Sequence, residues 1–110
     1  MIEPEKYEKD GMVAYLISPG FGAGWSTWAH EDGLDRFVLF DKTLVEMRER
    51  SAPVHEIEDY IKKATGTDYI YMGGWEDVEV RWMAKGTAFY IHEYDGSESI
   101  RTTDNLVIVA

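Results

Sequence analysis

Three histidines, scattered carboxylates and a glycine–tryptophan segment are the residues of this chain with the most chemistry in them. His30 stands near Asp32 and Asp35, a nitrogen and oxygen set that suits a hard cation. His55 is followed by Glu58 and Asp59 within about one helical turn, and His92 lies between Tyr90 and Tyr94. A metal site needs ligands that converge, and the spacing brings no two of these groups together. Neither H-E-x-x-H nor an H-x-E paired with P-C-x-x-C occurs. Ser26, His30 and Asp35 can be written as a triad, but Gly24-Trp25-Ser26-Thr27-Trp28 is not G-x-S-x-G. Glu76 and Asp77 could exchange protons in a cleft, whereas on a turn they are merely solvated. The chain is therefore read as non-enzymatic, with no metal and no other cofactor. A small metal-dependent hydrolase is the catalytic alternative.

The glycine–tryptophan segment is the better candidate for recognition. Gly20, Gly22 and Gly24 alternate with Phe21 and Ala23, but the sixth position is Trp25 counted from Gly20 and Thr27 from Gly22. The dinucleotide fingerprint G-x-G-x-x-G is thus absent, and no G-K-[ST] follows. Residues 10–35 contain no Lys or Arg, so an anion there would rest on backbone amides alone. Trp25, Trp28 and Trp75 all lie close to glycines and offer large, rigid contact area. The expected binding surface is Trp25, Ser26, Thr27, Trp28, His30 and Trp75, with the indoles stacking and Ser26, Thr27 and His30 supplying polar contacts. The same residues admit a purely structural reading, in which each tryptophan folds back to cap the core and the glycines serve a bulged hairpin.

Charge narrows the partners. Twenty-one acids against eleven bases give a net charge of −10 across 110 residues. The bases occur singly or in pairs such as Lys62-Lys63, with no stripe to neutralise phosphates, so nucleic acid and anionic membranes are not expected partners. A neutral or basic partner protein, or a small ligand, is favoured, and a homo-oligomer through an apolar edge strand stays open. There is no cysteine, which excludes a disulfide scaffold, a C-x-x-C redox site and a Cys-ligated zinc. The charged start of the chain is no secretory signal, and the longest apolar run, Met12 to Ile17, is too short to span a bilayer. A soluble, cytoplasmic protein is expected.

The elements that must position these residues follow from periodicity. Residues 1–10 read as a polar, loosely held N-terminal arm and residues 11–110 as one domain. Met12–Ile17 is apolar on both faces, as a buried central strand is. Residues 19–35 read as a long loop or irregular hairpin, and residues 36–40 as a second strand. Asp41 is placed to cap a helix over 42–50. Pro53 opens a second helix with Val54, Ile57, Ile61 and Ala64 on its apolar stripe, and Gly66 ends it. The period then changes to two. Strands are expected over 68–72, 75–83, 87–94, 97–102 and 106–109, with Asp95-Gly96 as a two-residue hairpin turn. Segregated helices and strands predict an α+β fold, a mainly C-terminal antiparallel meander with two short helices packed on one face.

The wording of residues 20–28 (GFGAGWSTW) and 73–82 (GGWEDVEVRW) resembles that of short phage and prophage proteins. The resemblance spans residues 12–100 and implies a context rather than an activity. A small acidic accessory protein of that kind acts by binding a host partner protein. The alternative is a binder of a nucleotide-like or aromatic small ligand through the glycine–tryptophan loop.

Overall fold

The computed structural model describes residues 3–29, 34–67 and 74–102. Within them run β1 (Glu8–Lys9), β2 (Met12–Ile17), α1 (Asp35–Phe40), α2 (Lys42–Glu49), α3 (Val54–Thr65), β3 (Glu79–Ala84), β4 (Phe89–Tyr94) and β5 (Ser97–Thr102), with 3₁₀ turns at Ser26–Trp28 and Trp75–Asp77. The fold is α+β. All strand pairs are antiparallel, in a sheet ordered β1-β2-β3 and a β4-β5 hairpin.

β2 organises the molecule because it has no polar face. Ala14 and Leu16 point into one cluster with Phe37, Val38, Leu44, Ile57 and Ile61. Val13, Tyr15 and Ile17 point the other way, into a second cluster with Leu39 and Phe40, against which Phe89, Ile91 and Ile100 of the hairpin pack. One strand thus carries helices on one side and a hairpin on the other, which a continuous apolar run requires. Its ladder partner is β3, from Met12 opposite Ala84 to Ile17 opposite Glu79.

Residues 36–40, expected as a strand, are the helix α1. Val38 N–H donates to Leu34 O at 2.9 Å and Asp41 N–H to Phe37 O at 2.9 Å. Phe37 and Val38 belong to the first cluster and Leu39 and Phe40 to the second, so the helix is wrapped in apolar contacts on opposite sides. A short helix buried that way shows no 3.6-residue stripe, and its aromatic and β-branched residues imitate a strand. Asp41 caps α2 as expected, its Oδ2 accepting from Leu44 N–H at 3.1 Å. In α3, Ile57 and Ile61 are buried while Ala64 is exposed, and Gly66 closes the helix at φ 73°. Pro53 sits one residue before the first turn, in extended backbone.

The N-terminal arm is tied down from Glu5 onward, contrary to its polar composition. Lys42 N–H donates to Glu5 O at 2.7 Å, Ala14 N–H donates to Tyr7 O at 2.9 Å, and β1 extends the sheet edge through an Asp10-Gly11 turn with positive φ at both residues. Its charged side chains stay exposed, Tyr7 packs against the first cluster, and the backbone completes a ladder, which side-chain polarity does not forbid. Trp75–Asp77, expected as part of a strand, is a 3₁₀ turn that buries Trp75 before β3 begins. The strands expected at 68–72 and 106–109 lie outside the described residues. Among the described residues no helix is long and apolar enough to cross a membrane.

Candidate functional site

The glycine–tryptophan loop does form a nest of backbone amides, and the chain fills it with its own carboxylate. Glu98, on β5, is 2% exposed. Its Oε1 accepts from Ser18 N–H at 3.0 Å, and its Oε2 accepts from Trp25 N–H at 2.8 Å, Thr27 N–H at 3.1 Å and Thr27 Oγ1–H at 2.5 Å. A buried charge without such donors would be costly to desolvate; here three amides and a hydroxyl replace its water. Neighbouring bonds reinforce the seam. Glu98 N–H donates to Ser18 O at 2.8 Å, Gly22 N–H donates to Asp95 O at 2.8 Å, and Ser97 Oγ–H donates to Pro19 O at 2.7 Å. The loop is therefore sewn along the β4-β5 hairpin.

Trp25 and Trp75 are core residues. They are 2% and 1% exposed and lie against each other with ring centroids 5.5 Å apart. Trp25 Nε1–H donates to Val38 O at 2.6 Å and Trp75 Nε1–H to Ala52 O at 2.7 Å, so both indoles are satisfied internally. Arg48 covers the Trp75 ring at 4.8 Å and donates to Trp75 O at 2.7 Å. Their ring area and N–H donors are taken up inside the fold, as in the reading in which each tryptophan folds back to cap the core. Trp28 is 39% exposed and stays at the surface. His30 lies outside the described residues, as does Asp32. His55 and His92 are exposed on α3 and β4. Among the described residues no group of three or more His, Asp or Glu could hold a metal ion.

Ser26 and Thr27 reach a different site. Both line a groove of about 530 Å³ between α1 and β4. Leu39, Phe40, Phe89 and Ile91 form its apolar walls, and Asp35, Arg36 and Tyr90 stand along it. Thr27 is held by Glu98, as described. Ser26 is 2% exposed, and among the described residues its Oγ is the one buried side-chain polar atom with no hydrogen-bond partner. Sequence reading reached Ser26 and Thr27 but missed the walls, because the groove arises where α1 packs beside a strand some fifty residues later. Glu98 was missed too. No local signal marked it, since it sits in an alternating strand 71 residues from Thr27.

A buried carboxyl elsewhere is structural. Asp41 joins α1 to α2, and its Oδ2 accepts from Tyr60 Oη–H at 2.7 Å as well as from Leu44. Burial pushes its carboxyl above the ordinary carboxylate range, against the hydrogen bonds from Tyr60, Leu44 and Thr43 that lower it. Burial likewise raises the Tyr60 hydroxyl.

Compared with models of known families, with curated proteins and with solved structures, the chain matches none.

Proposed function

We propose that this protein acts by binding, and that its site is the groove between α1 and β4, which takes a small ligand with an apolar or aromatic body. One observation carries the reading: the apolar groove is lined by Ser26, whose buried Oγ has no hydrogen-bond partner among the described residues. A buried polar group left unpaired costs about 1–3 kcal/mol, so a ligand group that pairs with it returns that energy on binding. The groove's size falls within the range of small-molecule sites, about 300–1,000 Å³, and a few polar groups on apolar walls are what such sites use. The loop bearing Ser26 is pinned at both ends by Glu98, so the wall is preorganised.

The test is a titration with the uncharged dye N-phenyl-1-naphthylamine, followed by amide chemical shifts. Saturable binding should move Leu39, Phe40 and Ile91 and leave His55 and Asp59 on α3 unmoved. Shifts centred elsewhere, or no binding, would remove the reading.

A second reading, a partner protein, is supported by exposed aromatics. Tyr90, His92 and Tyr94 share the outward side of β4, and Phe21 of the loop meets Tyr94 edge-on at 6.4 Å. A host partner protein for a phage-type accessory protein would dock there, and the net charge predicts salt-sensitive association. A Phe21→Ala/Tyr94→Ala pair that loses a captured partner while still binding the dye would favour this face.

A further inference from the structure

We infer that the groove's ligand carries one anionic group on its apolar body, held at the end that faces Lys6 and Lys85. This rests on the groove reading and adds the ligand's charge and its direction.

A second hollow of about 260 Å³ shares three wall residues with the groove: Arg36, Phe40 and Phe89 line both. Phe40 and Phe89 meet edge-to-face with centroids 6.1 Å apart, so one aromatic pair serves the two spaces. Lys6 and Lys85 line only the second hollow, whereas Asp35, Ser26 and Thr27 line only the first. The two hollows adjoin at that aromatic pair, and the lysines belong to the second alone.

The cationic end is unusual for this chain. Acids outnumber bases 21 to 11, yet the second hollow is lined by three bases and one acid, Glu8. Glu8 pairs with Lys85 at 3.0 Å and Glu3 with Arg36 at 3.4 Å, both between exposed side chains. Pairs of that kind are weak and exchange readily for another anion. Lys6 Nζ lies 5.0 Å over the Phe40 ring, which holds the ammonium beside the shared wall. The first groove has no lysine among its described wall residues, and there the Ser26 hydroxyl favours a neutral polar group. A carboxylate, sulfonate or phosphate ester is therefore directed to the lysines, with the apolar body across Phe40 and Phe89.

The experiment uses two dyes with one ring system: N-phenyl-1-naphthylamine, which is uncharged, and 1-anilinonaphthalene-8-sulfonate, which bears a sulfonate. Their Kd ratio is measured in the wild-type protein, in Lys6→Gln/Lys85→Gln, and in Lys62→Gln/Lys63→Gln, which removes the same charge from the exposed end of α3. Loss of the two hollow lysines should weaken the sulfonate dye about tenfold, the worth of roughly one charge-assisted hydrogen bond, and leave the uncharged dye unchanged. The α3 pair should leave the ratio where it was. A ratio that moves less than twofold in the hollow variant overturns the inference and spares the groove reading, as does an equal change in the α3 variant. If neither dye binds the wild-type protein, both readings fall together.

Discussion

Thr27 donates to Glu98 twice, from its amide at 3.1 Å and from its hydroxyl at 2.5 Å, across 71 residues of sequence. The two bonds close a circuit that also takes in Ser18 and Trp25. A segment rich in glycine loses much entropy on ordering, and its bonds to one internal carboxylate offset that cost.

Replacing that anion should be among the most damaging changes in the protein. Glu98→Ala strands three amides and a hydroxyl in a region with little water, and each unmet donor costs about 1–3 kcal/mol. Partial rescue by water brings the expected total to about 3 kcal/mol, read as a lower urea midpoint at unchanged slope. Glu98→Gln keeps one acceptor but turns an NH₂ toward the amides, so it should lose about half as much. A Glu98→Ala midpoint within error of wild type would show that the seam contributes nothing.

The tryptophans can be sorted in solution. Acrylamide should quench Trp28 and Trp82, which are partly exposed, and spare Trp25 and Trp75. A Trp28→Phe/Trp82→Phe protein should retain only shielded emission, and full quenching of that variant would contradict the buried indole pair.

Some of this was readable in advance and some could not have been. Asp41 as a cap, Ile57 and Ile61 as a buried stripe, and Asp95-Gly96 as a hairpin turn are local signals, complete within a few residues. α1 was misread because its stripe vanished when two clusters buried opposite sides of it. Glu98 alternates with Ser97 and Ser99 in a strand and looks solvated; only the docking of residues 18–28 onto β5 reveals its role. Ser26 was legible as a candidate by its neighbours, but the Leu39–Ile91 walls depend on tertiary packing that no spacing encodes.

Ser26→Ala tests the buried hydroxyl through stability. The free protein loses an unpaired buried hydroxyl, so it should be as stable as wild type or more stable by up to about 1 kcal/mol. A loss above that size would mean that the hydroxyl has a partner in solution.

Asp41 sets a pH dependence whose sign follows from its raised carboxyl. The folded state binds this proton more tightly than the unfolded chain, so the contribution is fully present below the ordinary value of 3.8 and is lost as pH rises through the folded value. Asp41→Asn keeps an acceptor for Leu44 and Tyr60 and does not titrate. Its stability relative to wild type should therefore improve as pH climbs above 4 and then level off. Asp41→Ala, which does not titrate either, should follow the same trend with pH from a level about 1 kcal/mol lower, the usual worth of an N-cap. A relative stability of the Asn variant that falls with rising pH would contradict the burial of this carboxyl.

Gly96 and Gly11 both sit in the second position of an Asp-Gly turn, at φ 84° and 77°, and they differ only in what surrounds them. A Cβ on Gly11 would meet nothing within 4 Å, so Gly11→Ala should cost only the left-handed backbone, about 1–2 kcal/mol. A Cβ on Gly96 would fall 2.7 Å from the backbone of Gly22 and Ala23, atoms that cannot swing aside as a side chain would. Gly96→Ala must either strain the turn or push the glycine loop off the hairpin, which breaks the Gly22–Asp95 bond and loosens the Glu98 seam. Its loss should exceed that of Gly11→Ala by at least about 2 kcal/mol, and amide exchange should quicken at Gly22, Trp25 and Thr27 but not in α3. Equal losses at the two glycines would mean that the loop is not docked on the hairpin in solution, and the groove wall carrying Ser26 would lose its support.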